Sequence, residues 1–144
     1  MSNNVPLKVI IDTNLWISFL IGKELATLKP LLVNKTMQPV LTDQLIKEID
    51  LVTQRPKLQK YFAVNKVQEL LKFLQLIGLF VEIKSEVTIC RDSKDNFLLA
   101  LAQDSQADYL ITGDLDLLVI KQFGQTAIVT YQEFYSLIES NEKP

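Results

Sequence analysis

The feature that most constrains the fold is an alternation. Short, near-continuous apolar runs recur along the chain, and each is followed by a longer stretch with apolar residues at helical spacing. Leu7-Lys8-Val9-Ile10-Ile11 is the first run, and Met37 to Leu41 the second. Phe80 to Ile83, Tyr109 to Thr112 and Ala127 to Val129 follow. Helices are expected over Asn14 to Ile21, Glu24 to Asn34, Asp43 to Thr53 and Val64 to Ile77. Further helices are expected over Lys94 to Gln106, Leu115 to Phe123 and Gln132 to Glu139. Gly22 parts the first two helices, Arg55-Pro56 ends the third and Gly78 ends the fourth. Strands with Val, Ile and Leu at consecutive positions are buried on both faces, and the intervening helices provide the cover. The pattern predicts an α/β fold around a central parallel sheet of about five strands. With 144 residues and no Gly/Ser/Pro-rich linker, residues 1–144 read as one domain, with 55–78 as a helical arm or hairpin within it.

Composition narrows the chemistry. The chain contains no histidine and one cysteine, Cys90. That removes Ser-His-Asp triads, Cys-His pairs, imidazole bases and zinc sites that need imidazole. An internal disulfide is impossible, which fits a reducing compartment, and Cys90 is expected as a small buried apolar residue. No apolar run approaches the ~18–20 residues of a membrane-spanning helix. Met1-Ser2-Asn3-Asn4 lacks the basic-then-apolar character of a signal peptide, so a cytoplasmic location without membrane attachment is expected. The net charge is −2. Binding of nucleic acid would therefore need a local basic patch or a bound cation.

In open parallel sheets ligands bind beyond the carboxyl ends of the strands, so the residues that follow each strand matter most. Asp12 directly follows the first strand, where it could equally be a helix N-cap, a role also open to Thr13 or Asn14. Glu48 shares a flank with Leu45 and Val52 beside the apolar stripe of its helix, while Lys47 and Asp50 are expected to point away. Glu48 could also be a boundary residue reaching solvent or a lysine. Asp95 lies in the first turn of its helix on the face of Leu98, Leu99 and Ala102, directed inward, or acts only as a dipole partner. Asp92 is the expected N-cap of that helix. Asp114 follows the fourth strand and Gly113, and capping alone would explain it; Asp116 lies in the first turn beyond.

Each acid has a structural explanation by itself, and their joint placement adds the functional one. Asp12, Glu48, Asp95 and Asp114 converge on one sheet edge, with Asp12 and Asp114 after strands expected to be neighbours at the switch point. Carboxylates gathered without histidine or clustered lysine repel, and some would be driven to protonate. A hard divalent cation relieves this, and oxygen-only ligands suit Mg²⁺ or Mn²⁺. Such an ion acidifies a bound water and bridges a phosphate, giving phosphodiester hydrolysis without a protein base.

At these residues the chain resembles the PIN-domain ribonucleases. Val9-Ile10-Ile11-Asp12-Thr13-Asn14-Leu15-Trp16-Ile17-Ser18 resembles their opening strand and Asp-Thr-Asn motif. The stretch from Cys90 to Ala102, with Asp92-Ser93-Lys94-Asp95, is similar to their central Asp-x-x-Asp segment. Ala107 to Leu118 resembles their third motif and Ile128 to Phe134 their ending, in the expected order along nearly the whole chain. Arg55-Pro56-Lys57-Leu58 adds a likeness to bacterial members that are toxins of toxin–antitoxin pairs. The resemblance implies a three-layer α/β/α sandwich and a catalytic site of Asp12, Glu48, Asp95 and Asp114. It implies Mg²⁺ or Mn²⁺ on Asp12, Asp95 and Asp114, with Asp116 as accessory acid. It further implies RNA as substrate, a homodimer and often a small antitoxin protein as partner. Many members carry a second Asp where this chain has Asn96, which could still hold water or metal as a neutral ligand.

Two other function classes compete for the same residues. A receiver-like phosphoryl-transfer domain needs paired acids after strand one and a lysine after the last strand; Asp12-Thr13-Asn14 and Ile128-Val129-Thr130 supply neither. A non-catalytic PIN module that binds RNA or protein is the alternative, but all four acids are present. For RNA contact, Asn14 and the basic residues Arg55, Lys57, Lys60 and Lys66 are the candidates, a solvated helical arm being the plainer reading of the lysines. Trp16 and Phe19 are expected in the core rather than as base-stacking groups.

Overall fold

A computed structural model describes residues 5–22, 24–62 and 64–142; the opening Met1-Ser2-Asn3-Asn4 lies outside the described residues. The elements run β1 (Leu7–Ile11), α1 (Thr13–Ile21), α2 (Glu24–Val33), β2 (Met37–Leu41), α3 (Asp43–Thr53), a 3₁₀ turn (Gln59–Tyr61) and α4 (Val64–Ile77). They continue with β3 (Leu79–Phe80), α5 (Ser93–Ser105), β4 (Tyr109–Ile111), α6 (Leu115–Leu118), β5 (Gln122–Phe123), β6 (Thr126–Val129) and α7 (Tyr131–Glu142). The sheet has six strands in the order β3-β2-β1-β4-β6-β5. All pairings are parallel except β5 with β6.

Consecutive apolar residues in the central strands are explained by two cores, one on each face. Successive side chains of a strand point to opposite faces. Val9 and Ile11 of β1 enter one core, with Met37 and Leu41 of β2 and Ile111 of β4. Ile10, Val40 and Leu110 enter the other. The first core is closed by Trp16 and Phe19 of α1, Leu28 of α2, Ile49 of α3, Leu74 of α4 and Phe134 of α7. The second is closed by Leu98, Leu99 and Leu101 of α5 and Leu117 of α6. The result is a three-layer α/β/α sandwich, with Trp16 and Phe19 fully inside it.

Two elements differ from the pattern read in the sequence. The helix expected over Leu115 to Phe123 ends at Leu118, because Lys121 takes a left-handed backbone (φ 66°) and the chain turns into β5. The β5–β6 hairpin then closes over Gly124-Gln125, with Gly124 at φ 60°, a conformation glycine adopts without Cβ strain. Leu117, Leu118, Ile120 and Phe123 mimic a helical period but serve the same core from a turn and an edge strand. The third strand is Leu79–Phe80, not Phe80 to Ile83. After Val81 donates its N–H to Leu41 O (3.0 Å), the chain is pulled off the sheet by Asp104, which accepts the N–H groups of Lys84 (2.6 Å) and Ser85 (2.8 Å).

Because β1 and β4 are adjacent while β2 lies to one side and β6 to the other, the sheet's switch point is the crevice between β1 and β4. Asp12 and Thr112 are the first residues past those two strands.

Candidate active site

Thr112 organises the sheet edge. Its side chain is 1% exposed, and its hydroxyl donates to Asp12 Oδ2 at 2.9 Å while accepting the Asp114 N–H at 3.0 Å. One hydroxyl thus ties the acid after β1 to the acid after β4. Asp12 Oδ1 accepts the Asn14 N–H at 3.3 Å and caps α1, while Oδ2 is left to Thr112. Asp114 Oδ1 caps α6 through the Asp116 N–H at 2.9 Å. Asp92 caps α5 through the Lys94 N–H at 2.9 Å.

Asp95 has no such duty. It is 4% exposed, and its Oδ2 is buried without a hydrogen-bond partner. One carboxylate oxygen from each of Asp95, Asp114 and Asp116 lies within 4.8 Å of the others. Burial first, then the facing Asp114 carboxyl, pushes the Asp95 carboxyl up to about 6, with Asp92 and Asp12 adding repulsion. Two acceptors meet at Asp95 and Asp114, a contact that becomes a hydrogen bond only when one is protonated. The Asp12 carboxyl is also raised, chiefly by burial, against the lowering effect of Thr112 and Asn14.

Glu48 joins from α3. Its Oε2 accepts the Thr13 hydroxyl at 3.3 Å, and its Oε1 lies 3.6 Å from Lys94 Nζ. Arg91 Nη2 lies 3.5 Å from Asp116 Oδ2 on the outer rim. Asn96 is spent elsewhere: its Oδ1 accepts the Cys90 N–H at 2.8 Å and its Nδ2 donates to Cys90 O at 3.0 Å. Both amide atoms of Asn96 thus engage the Cys90 backbone and tie that residue to the start of α5. Cys90 is half-buried against the second core, and its thiol is raised by burial and by Asp95, Asp116 and Asp114.

A cleft of about 500 Å³ opens beside the acids, between the start of α1, one face of α3 and the start of α5. Asn14 and Arg55 line it, whereas Lys57 and Lys60 do not. The break at Arg55-Pro56 carries those two lysines past the cleft, where Lys60 Nζ sits 5.1 Å from the Tyr61 ring centroid. Lys47, exposed and off the apolar stripe of α3 as expected, borders the cleft together with Lys94. The signal for Lys47 was a second stripe on α3: Gln44, Lys47, Glu48, Leu51 and Val52 repeat at helical spacing and face the cleft, and Arg55 lines it just past the end of the helix. Thr13, Thr112 and Arg91 were missed because their partners lie far away in sequence.

The donor set fits a hard divalent cation. Three carboxylates share one small volume, each offers only oxygen, and a buried oxygen of Asp95 lacks a donor. Asp12 lies beyond that trio, its oxygens held by Thr112 and Asn14, and acts on it through charge.

Residues 8–116, from β1 into α6, match the PIN-domain family. An uncharacterized protein of Methanocaldococcus jannaschii is 29% identical over 120 residues, 81% of this chain and 77% of that protein. The matched stretch contains Asp12, Glu48, Asp95, Asp114 and Asp116.

Proposed function

Since the chain belongs to the PIN-domain family, we propose that it is a ribonuclease that hydrolyses RNA phosphodiester bonds with Mg²⁺ or Mn²⁺. PIN domains are generally nucleases, and the observation that carries the reading here is the Asp95 carboxyl, buried and lacking a donor within reach of Asp114 and Asp116. Asp95 and Asp114 would hold the ion, with Asp116 as the outer, more exposed ligand and Asp12 completing the negative wall. Such a cation supplies Lewis-acid activation of water and neutralises phosphate charge. Thr112 fixes the spacing of Asp12 and Asp114. Thr13 and Lys94 orient Glu48 at the cleft wall, where its carboxylate can position a water beside the incoming strand.

The reading extends to a cytoplasmic toxin of a toxin–antitoxin pair that forms homodimers. Among the described residues no helix is long and apolar enough to cross a membrane. Val33 and Leu76, 64% and 83% exposed, leave an apolar strip along α2 and α4 beside Phe73. Such a strip suits a partner protein. A small reading frame upstream encoding a basic partner that forms a complex with this chain would support that extension; cleavage that is unaffected by its product would contradict it.

The test of the activity is cleavage of single-stranded RNA by the full chain with Mn²⁺ or Mg²⁺, abolished by EDTA and restored by excess cation. Cleavage that survives exhaustive chelation contradicts the carboxylate–metal site, and RNA binding without cleavage favours a non-catalytic module.

A further inference from the structure

Two grooves meet at Phe97, and their charges differ. The first is the cleft beside the acids, lined by Lys47, Arg55 and Lys94 together with Asp12 and Glu48. The second leads the opposite way, over the start of α3 to β3, and is lined by Asp43, Glu82 and Phe80. Gln44 and Phe97 line both. Among the described residues lining the second groove there is no lysine or arginine. Three cations outnumber two acids in the first, whereas two acids stand unopposed in the second, so phosphates favour the first.

Resting on the ribonuclease reading, we propose that the RNA footprint is one-sided: an unpaired strand runs from the acids along α3 toward Arg55 and does not continue toward β3. Lys47 lies on α3 and Arg55 just past its C-terminal end, both on the cleft wall, which separates them enough to meet different phosphates. Lys94, at the start of α5, stands beside the acids and takes the phosphate nearest them. Phe97 is half-buried at the meeting point, and its ring is the platform for one unstacked base. A concavity of about 500 Å³ holds a splayed nucleotide. A duplex, with its bases stacked inside, offers the ring nothing to stack on.

The experiment measures anisotropy of a short, unstructured, fluorescein-labelled RNA with the full chain carrying Asp95→Asn, so that the probe survives. Lys47→Glu and Arg55→Glu are each expected to weaken binding about tenfold and to lower the salt slope by about one or more. Lys57→Glu and Lys60→Glu, outside the cleft, are expected to change binding less than about twofold. Phe97→Ala should weaken binding, and Phe97→Tyr should restore it by keeping the ring. Trimming the RNA from one end should cost affinity, and trimming from the other should not. Equal losses from both ends, or unchanged binding by Lys47→Glu and Arg55→Glu, would overturn the one-sided footprint. The two readings fail separately: cleft-dependent binding by a wild-type chain that never cleaves sinks the ribonuclease, whereas cleavage with a KM indifferent to Lys47 and Arg55 sinks the footprint.

Discussion

Asp95 and Asp104 sit at opposite ends of the same helix, α5, and their carboxyls are shifted in opposite directions. Asp104 is lowered because the Ser85 hydroxyl and the Ser85 and Lys84 N–H groups all donate to it. Asp95 is raised to about 6 because burial and other acids surround it. The protein completes the hydrogen bonding of one carboxylate and leaves the other incomplete. The first ties a loop to a helix. The second has cost without local return in the unliganded chain, and a cation would remove that cost.

The comparison can be broken first at Asp95 itself. Asp95→Asn is expected to bring RNA cleavage below detection while the apo protein melts at a higher temperature, since like-charge repulsion with Asp114 is relieved. A variant that still cleaves would return Asp95 to a plain helix-dipole role. Next in size, Asp114→Asn should cost more activity than Asp116→Asn, because Asp114 faces the buried Asp95 while Asp116 is exposed and engaged by Arg91. Cleavage rate against Mn²⁺ concentration measures this. Rescue of Asp114→Asn by high Mn²⁺, with Asp116→Asn left dead, would reverse the assignment.

A smaller loss is expected from Thr112→Val, which keeps the buried shape but removes the hydroxyl between Asp12 and Asp114. Groups that orient ligands are typically worth about 10–100-fold, and cleavage should fall within that range with the fold intact. Unchanged kinetics would show that the two acids need no tie.

The smallest effects concern stability against pH in the metal-free protein. Asp95 binds its proton more tightly folded than unfolded, so its contribution is present at low pH and is lost as pH rises through about 6. Asp104, with a lowered value, contributes above its ordinary range, and that contribution is lost as pH falls through its folded value. Asp95→Asn should therefore flatten the decline in Tm between about pH 4 and 6, and Asp104→Asn should leave that decline in place. Melting curves across that range read both, and an Asp104→Asn variant that flattens the decline would show the two ends exchanged.

The same contrast explains what the sequence disclosed. Val9, Ile10 and Ile11 run consecutively because both faces of β1 are buried, so the parallel sheet and the position of Asp12 past its end were legible. Glu48 was legible on the flank of Leu45 and Val52, and all three border the cleft. Periodicity tells which side of a helix is buried, but not what stands across from the rest. Lys47 was legible as lying off the apolar stripe but not as a cleft residue, and the Glu48 contact with Lys94, 46 positions along the chain, left no local trace. The Asp104 clasp on Ser85 was hidden for the same reason, as was Thr112, whose hydroxyl reaches Asp12 across 100 residues. The pairing of the Asn96 amide with the Cys90 backbone was likewise not legible, since the sequence showed Asn96 only as the place where many relatives carry a second Asp.

The central claim, that Asp95 is left incomplete for a cation, is tested most directly by thermal melting of the EDTA-treated full chain with and without Mn²⁺. Binding to the folded state alone raises Tm with concentration. Wild type should melt higher as Mn²⁺ is added, whereas Asp95→Asn should start higher and respond little. A wild-type Tm indifferent to Mn²⁺ up to about millimolar levels, or an equal response from Asp95→Asn, would contradict the claim.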